Sequence, residues 1–456
     1  MRPLFSLATV ALCALLAGCG LTRSPFGGAE ITGDWTYGTP GAAAGAEPFR
    51  VEENRWWRAF GDERLDRVIA SVLASNSDLA AAVVAARRAH LRARLTAAEL
   101  GPQVQAGAGA TFSETETDSS RSFRASGSIG YELDLWGRAA ALRDGADWEA
   151  RASAEDRQAL ALSITGSAAS LYWQLGLLNL RVTSSEASIA YAERTRQLVR
   201  AQYAAGAVSR LEMEEAEQAV QSQRAAHARL LQSRVETRLA IGLLRDGRTW
   251  PGADEPQALP TSLPAVEPGL PAQLLARRPD LRAAEMRLRG MLASHDANRL
   301  SFYPSISLTG SYGGSSESLV RVLSDPTSAL AAALALPFLQ ANEMALSTQI
   351  SAAQYEEARL GFRQTLWRAL SEVETALSAR TQLAAQGQEL EASLAAAETA
   401  ERLYEARYRA GASSLRNWLD AQERRRQAEL ALEQNRYDQL ANLVSLHMAL
   451  GGHSER

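Results

Sequence analysis

Residue types that commonly carry chemistry are few in this chain and stand apart from one another. The five histidines, at positions 90, 227, 295, 447 and 453, include no HExxH spacing for a metal. The two cysteines, Cys13 and Cys19, form no CxxC pair. No GxSxG motif or phosphate-binding loop occurs, and Gly107-Ala108-Gly109 lacks the third glycine of a dinucleotide-binding turn. The sequence therefore predicts a protein that is not an enzyme and has no metal site or cofactor.

Charge gives no sign of a nucleic-acid partner. The chain has 52 acidic and 48 basic residues, for a formal net charge of −4. Every basic residue is arginine, and charges of both signs alternate along the chain without forming a basic face. We therefore expect no nucleic acid among the partners.

The N-terminus has the pattern of a secretory signal. Arg2 precedes an apolar run from Leu4 to Ala17, which is too short to span a bilayer as a mature helix. The segment Leu16-Ala17-Gly18-Cys19 resembles the lipobox of bacterial lipoproteins. That resemblance implies that residues 1–18 are a signal peptide and that Cys19 carries a covalent lipid, palmitate included. The alternative is an ordinary signal peptide with an incidental cysteine.

The rest of the chain is a duplication. Ser77-Asp78-Leu79 aligns with Pro279-Asp280-Leu281 at a shift of 202, and Tyr203–Ala207 aligns with Tyr408–Ala412 at a shift of 205. A proline-rich stretch separates the two halves. We therefore divide the chain into a signal peptide (1–18), an N-terminal extended segment (19–61), a first repeat (62–247), a linker (248–269), a second repeat (270–450) and a tail (451–456).

Each repeat is predicted to contain a helix, two strands and two long helices. A helix of about 66 residues measures roughly 100 Å. It needs other helices along its length, in a coiled-coil-like arrangement. The predicted helices span 65–100, 138–203, 210–244, 270–300, 341–408 and 415–450, and the predicted strands span 103–112, 123–136, 305–312 and 328–338.

The strands are the candidate membrane-crossing elements. Beyond the signal, no apolar stretch reaches the ~20 residues that a transmembrane helix needs. Four strands cannot close a barrel, so a membrane-spanning sheet of this size must form between several chains. Trp136 and Phe338 occupy matching places at the strand ends, as interfacial aromatics do. The alternative is a four-stranded sheet that never contacts lipid.

Two adjacent tryptophans stand in the N-terminal segment. Trp56-Trp57 could stack on a sugar, but we favour a packing anchor that fastens this segment to the long helices.

Several motifs together resemble the TolC-like outer-membrane factor family, in its efflux lipoprotein branch. Taken with Cys19, these motifs are Trp56-Trp57-Arg58-Ala59-Phe60-Gly61-Asp62, Tyr131-Glu132-Leu133-Asp134-Leu135-Trp136-Gly137-Arg138, Arg277-Arg278-Pro279-Asp280-Leu281, Tyr408-Arg409-Ala410-Gly411 and Leu419-Asp420-Ala421-Gln422. The resemblance implies a mixed α/β membrane protein. Its long helical hairpins would form a periplasmic α-barrel, and its four strands would join a trimeric, twelve-stranded outer-membrane β-barrel.

The same resemblance implies a function and partners. A lipid-anchored homotrimer in the Gram-negative outer membrane would carry small molecules from a periplasmic adaptor and an inner-membrane transporter of the resistance-nodulation-division type. One alternative is the outer-membrane duct of a type I protein secretion system. Another is a periplasmic helical adaptor or scaffold lipoprotein, although no lipoyl-like or barrel domain is found. A secreted hydrolase is disfavoured by the missing catalytic site.

The resemblance also places a periplasmic gate at the turns of the helical hairpins. Gly206 and Gly411 would mark these turns. The family pattern has a basic residue where Ser413 stands and an acid where Asn417 stands, so a gate locked by those charges is not supported here. Solvated polar residues at helix starts are the alternative interpretation. The gate candidates are Tyr408, Ser413, Arg416, Asn417, Asp420, Glu212 and Glu215.

Overall fold

The computed structural model describes residues 24–27, 35–36, 49–115, 119–249, 252–260, 262–266 and 271–452. The signal peptide and Cys19 lie outside the described residues, so the predicted cleavage and lipidation stay predictions.

The two halves follow the same order of elements, as the duplication predicts. The first half contains α1 (Glu63–Ser75), α2 (Ser77–Glu99), β1 (Gln103–Glu114), β2 (Ser119–Leu133), α3 (Arg138–Ala204) and α4 (Arg210–Leu244). The second contains α5 (Leu274–Arg277), α6 (Pro279–Leu300), β3 (Ser305–Ser316), β4 (Thr327–Ala335), α7 (Ala341–Arg409) and α8 (Leu415–Ala449). The predicted bounds of the four long helices are confirmed to within one residue.

The first predicted helix, 65–100, is wrong as a single element because Asn76 interrupts it. α1 and α2 meet there at an angle of 50°. The Asn76 carboxamide oxygen accepts a hydrogen bond from the Leu79 amide at 2.9 Å, and its nitrogen donates to the Leu244 carbonyl at 3.0 Å. Asn76 thus caps α2 and fastens the bend to the end of α4.

Proline similarly breaks the predicted helix 270–300. Arg278, which precedes Pro279, has extended backbone with ψ of 120°. The ring of a proline disfavours helical geometry in the residue before it. Residues 271–273 form a 3₁₀ turn, and α5 ends at Arg277 before α6 begins.

Strand bounds also differ from the prediction. β2 begins at Ser119 rather than 123 and ends at Leu133 rather than 136, so Trp136 lies after it. β4 ends at Ala335, and Phe338 lies in a 3₁₀ turn, Pro337–Leu339.

The chain divides into two compact units. The described residues of one are 24–27, 85–115, 119–154 and 283–364, and this unit contains the sheet. The strands pair in the order β1-β2-β3-β4, all antiparallel. Because β2 pairs with β3, the two hairpins of the duplication form one sheet, and β1 and β4 are its edges.

The described residues of the other unit are 35–36, 49–84, 155–249, 252–260, 262–266, 271–282 and 365–452. Its main core packs the N-terminal segment and α1 against α3 and α8. The buried residues of this core include Trp56, Trp57, Leu65, Ile69, Tyr172, Trp173, Leu440 and Val444.

Within the described part of the chain, no single helix is apolar and long enough to cross a membrane, although α1 and α2 taken together meet that criterion.

Candidate functional site

One face of the sheet carries large apolar side chains on all four strands, with the charged Glu114 and Arg121 only at its loop end. Side chains alternate between the two faces of a strand, and the register aligns Val104 with Ile129 and Tyr131 with Leu308. Every large apolar residue of the strands that is strongly exposed lies on this apolar face: Val104, Phe112, Ile129, Tyr131, Leu308, Tyr312, Leu330 and Leu334. Such a face is the pattern of a strand whose outer side meets lipid.

The opposite, polar face carries small side chains. It presents Gln, Ser and Thr residues with Gly and Ala, such as Gln105, Ser128 and Thr309. Its charged residues within the strands are Arg124 and Glu132, both on β2. This face has the composition of a water-filled lumen.

Aromatic side chains mark both ends of the strands. Phe112 and Phe123 contact edge to face near the β1–β2 loop, with ring centroids 5.9 Å apart. At the other end, the Trp136 indole donates to the Pro304 carbonyl at 2.6 Å and contacts the Tyr303 ring. Phe112 and Phe123 were not among the predicted interface aromatics, although period-two alternation on β1 and β2 places both on the apolar face.

The two predicted membrane-interface aromatics differ in their surroundings. Phe338 is 44% exposed, whereas the Trp136 side chain is half-buried against its own chain.

The two hairpin turns are equivalent. Gly206 and Gly411 have φ of 73° and 72°, the left-handed region that glycine adopts most readily. The next amide closes each turn: Ala207 donates to the Gln202 carbonyl at 2.9 Å, and Ala412 donates to the Arg407 carbonyl at 2.8 Å. This is how a helix ends at glycine.

Polar residues after each turn cap the returning helix. Ser209 and Glu212 form a capping box: the Ser209 hydroxyl accepts from the Leu211 amide, and the Glu212 carboxylate accepts from the Ser209 amide at 3.0 Å. The hydrogen bond from the Ser209 hydroxyl keeps the pKa of Glu212 below its usual value. At the second turn, the Ser414 hydroxyl caps α8 by accepting from the Asn417 amide, and the Asn417 side chain donates to the Ser413 hydroxyl at 3.2 Å.

An aromatic cluster holds the two hairpins together just behind the turns. Trp418 is 2% exposed, stacks on Tyr408 with ring centroids 5.3 Å apart, and meets Tyr191 edge to face. The Tyr408 hydroxyl donates to the Gln202 carboxamide at 2.6 Å. Burial and the charge of Glu212 raise the pKa of Tyr408, so this donor keeps its proton at physiological pH. Val199, Ala216 and Leu415 complete the cluster.

The remaining gate candidates lie outside this cluster. Arg416 and Asp420 are exposed on α8, and Glu215 is half-buried on α4. Asp420 lines a cavity of about 250 Å³ together with Tyr191 and Arg425. Within one chain, therefore, Tyr408 belongs to the aromatic cluster, whereas Glu212, Ser413 and Asn417 hydrogen-bond near the helix starts.

The tryptophan pair is a packing anchor, which confirms the interpretation that we favoured. Trp56 is fully buried and stacks on His447 of α8 with centroids 5.2 Å apart. The Trp57 indole donates to Asp66 at 2.8 Å, and Arg58 pairs with the same carboxylate at 2.8 Å. In the described ranges no group of three His, Cys, Asp or Glu side chains could hold a metal ion.

A sheet with one apolar face, paired with long helical hairpins that end in matching turns, defines a channel protein of the outer-membrane efflux class. Residues 68–244 and 270–452 match the family described as outer membrane efflux protein, and the chain belongs to this family.

Relatives and solved structures agree with this assignment. The chain is 30% identical over 471 residues to the pyoverdine export outer membrane protein OpmQ of Pseudomonas putida, covering 98% of this chain and 97% of that protein. It is 28% identical over 409 residues to toxin and drug export protein A of Aggregatibacter actinomycetemcomitans, covering 88% and 89%. The open-state MtrE outer membrane channel of Neisseria gonorrhoeae aligns with a TM-score of 0.75 and 27% identity, covering 92% and 97%. The predicted family, fold class and efflux role are thereby confirmed.

Proposed function

We propose that three copies of this chain close one twelve-stranded barrel and form a duct that exports small molecules across the outer membrane. The observation that most supports this proposal is the open sheet. Its edge strands β1 and β4 have no partner strand within the described chain, and an open edge cannot sit in lipid because its backbone groups would stay unpaired. A second and third copy supply the missing strands.

Exposed apolar stripes on the helices support assembly with other copies. Val235, Leu239 and Leu243 recur every four residues on α4 and are 45%, 68% and 77% exposed. On α2, Leu91 and Leu95 repeat the pattern at 51% and 57%. Residues at this spacing share one helix face, and a contiguous apolar face normally marks a contact surface. A neighbouring copy of the same chain would cover these stripes.

The duct is proposed to work with a periplasmic adaptor and an inner-membrane transporter of the resistance-nodulation-division type. The cargo that we favour is small and chemically diverse, as the names of relatives that export pyoverdine or toluene suggest. The polar face of the sheet suits such cargo because, apart from Arg124 and Glu132, its side chains are uncharged and no larger than Gln.

The membrane-facing role of the apolar face can be tested with two adjacent substitutions on β4. Leu330 is 85% exposed on the apolar face, and Ala331 lies beside it on the polar face. Arginine on a lipid-facing strand costs ~2–4 kcal/mol near the bilayer centre but little in a lumen. We expect Leu330→Arg to abolish outer-membrane assembly and resistance to toxic compounds in a host that lacks its own channel, whereas Ala331→Arg retains both. Equal activity of the two variants would contradict the proposal.

The second part of the proposal is a lipid on Cys19 that anchors the chain. Five residues later, Ser24 donates from its amide and its hydroxyl to the Asp296 carboxylate at 3.1 and 2.7 Å. The Arg289 guanidinium carbon lies 4.3 Å from the centre of the Phe26 ring. Five extended residues span at most about 18 Å, so Cys19 would lie within that distance of Ser24.

Intact mass spectrometry tests the anchor. The purified protein should begin at Cys19 and carry acyl chains. An unmodified mass that begins at another residue would refute lipidation.

Export of whole proteins by a type I system is the second candidate function. It is favoured by one observation, the relative named for both toxin and drug export. The two functions can be separated by comparing the culture supernatants of strains with and without the chain. If a secreted protein is missing from the supernatant of the strain that lacks the chain, while the drug sensitivity of that strain is unchanged, protein secretion would be favoured.

A further inference from the structure

The polar face of the sheet is nearly uncharged, and its two charges are not equivalent. Glu132 pairs with Arg138, the first residue of α3, at 2.9 Å. Arg124 lies opposite Gly109 on β1 and Ser315 on β3, neither of which carries charge. Among the strand residues of this face, Arg124 is therefore the charged side chain with no opposite charge directly across from it.

Arg124 lies near the loop end of the sheet. It follows Phe123 of the aromatic pair and is eight residues from Glu132, which is about 26 Å along a strand. Its side chain is exposed. In a barrel that closes with its polar face inward, the three copies of Arg124 lie at one height around the lumen.

We propose that Arg124 forms a ring of three guanidinium groups that makes the strand segment of the pore favour anions over cations. This inference rests on the proposed trimeric duct and assigns a selectivity residue to it. Fixed charges raise the local concentration of counter-ions within a Debye length, which is ~30 Å at 10 mM salt and ~3 Å at 1 M. The ring should therefore act across the lumen in dilute salt and lose its influence in concentrated salt.

A charge-neutralising pair of variants tests the ring. Arg121 is also exposed on β2, but it lies on the apolar face opposite Phe112, which makes Arg121→Gln the matched control for Arg124→Gln. Reversal potentials are measured in planar bilayers with the full-length protein across a gradient of potassium chloride, ~10 mM against ~100 mM.

Arg124→Gln should lower the chloride-to-potassium permeability ratio by about twofold or more, and Arg124→Glu should lower it further. Arg121→Gln should leave the ratio at the wild-type value, and all ratios should converge near 1 M salt, where screening is strong. An unchanged ratio in Arg124→Gln, or an equal shift in Arg121→Gln, would overturn the ring while leaving the duct intact. A wild-type protein that inserts but never conducts would contradict the proposed duct itself.

Discussion

At the scale of single residues, Asp66 shows how the N-terminal segment is held. Burial alone would raise the pKa of its carboxyl, but hydrogen bonds from Arg58 and Trp57 outweigh burial and keep the pKa below the usual range. Folding therefore stabilises the ionised form of the Asp66 carboxyl relative to its protonated form. The resulting stability is present above the unfolded pKa of ~3.9 and is lost as pH falls through the lower folded value.

Because the pKa of Asp66 is lowered by folding, the stability of the Asp66→Asn variant relative to the wild type should depend on pH. At neutral pH the variant should unfold with about 1–2 kcal/mol less stability, because a charge-assisted hydrogen bond is lost. The deficit should shrink below about pH 4 as the wild-type carboxyl takes up its proton. Tryptophan fluorescence during thermal unfolding in detergent measures it. Glu63→Gln, at a carboxylate that is 96% exposed, is the control and should show no such deficit.

Trp56 gives a second prediction at this scale. Replacing a fully buried tryptophan with alanine typically costs ~3–5 kcal/mol. We expect Trp56→Ala to lower the thermal midpoint strongly, with a smaller loss for Trp56→Phe, which keeps a ring against His447. Wild-type stability in Trp56→Ala would mean that the N-terminal segment is not fastened by this residue.

At the scale of elements, the hairpin turns depend on backbone geometry alone. A Cβ at Gly411 would meet no atom within 4 Å, so any cost of substitution comes from its positive φ. Gly411→Val should destabilise by about 1–2 kcal/mol and Gly411→Asn by less, since asparagine tolerates this region. Chemical denaturation of the three proteins gives the order. Equal stability of the valine and asparagine variants would contradict this reasoning.

The second prediction at this scale concerns the periplasmic entrance at the hairpin turns. If polar contacts around the symmetry axis keep the duct shut, several must act together, since one exposed ion pair is worth ~0–1 kcal/mol. Asp420→Ala with Glu215→Ala should then raise single-channel conductance with little change in thermal stability. Glu214→Ala, which removes an exposed partner of Arg210 in the same helix, is the control. Wild-type conductance in the double variant would point to apolar neighbours such as Leu415 as the seal.

Local sequence signals predicted most elements, and contacts distant in sequence explain where they failed. Glycine turns and missing prolines gave the bounds of α3, α4, α7 and α8. The break at Asn76 was missed because its cap on the Leu79 amide was not recognised, and the hydrogen bond to Leu244 that fastens the bend comes from far along the chain. The family resemblance placed Tyr408 at the gate, and the structure adds that its ring packs on Trp418. No local pattern reveals that stacking.

At the scale of the whole molecule, the proposed trimeric barrel requires β1 of one copy to pair with β4 of the next. The mature chain offers a clean background for disulfide trapping, because lipidation would block Cys19 and cleavage would remove Cys13. Gln105 on β1 is replaced by cysteine and combined with cysteine at Ala329, Ala331 or Ala333 of β4, all on the polar face. Gln105 with Thr309 of β3 is the control pair. β2 lies between β1 and β3, so these two strands are about 9.5 Å apart. That distance exceeds the ~7 Å between Cα atoms that a disulfide can bridge.

Oxidation of these variants in the native outer membrane, followed by denaturing electrophoresis, is the most direct test of the trimeric barrel. A trimeric barrel predicts a ladder that ends at the trimer for at least one β1–β4 combination, with no ladder for the single cysteines or the Gln105–Thr309 pair. Monomers alone across the whole β1–β4 panel, from protein that has inserted and conducts ions, would contradict it.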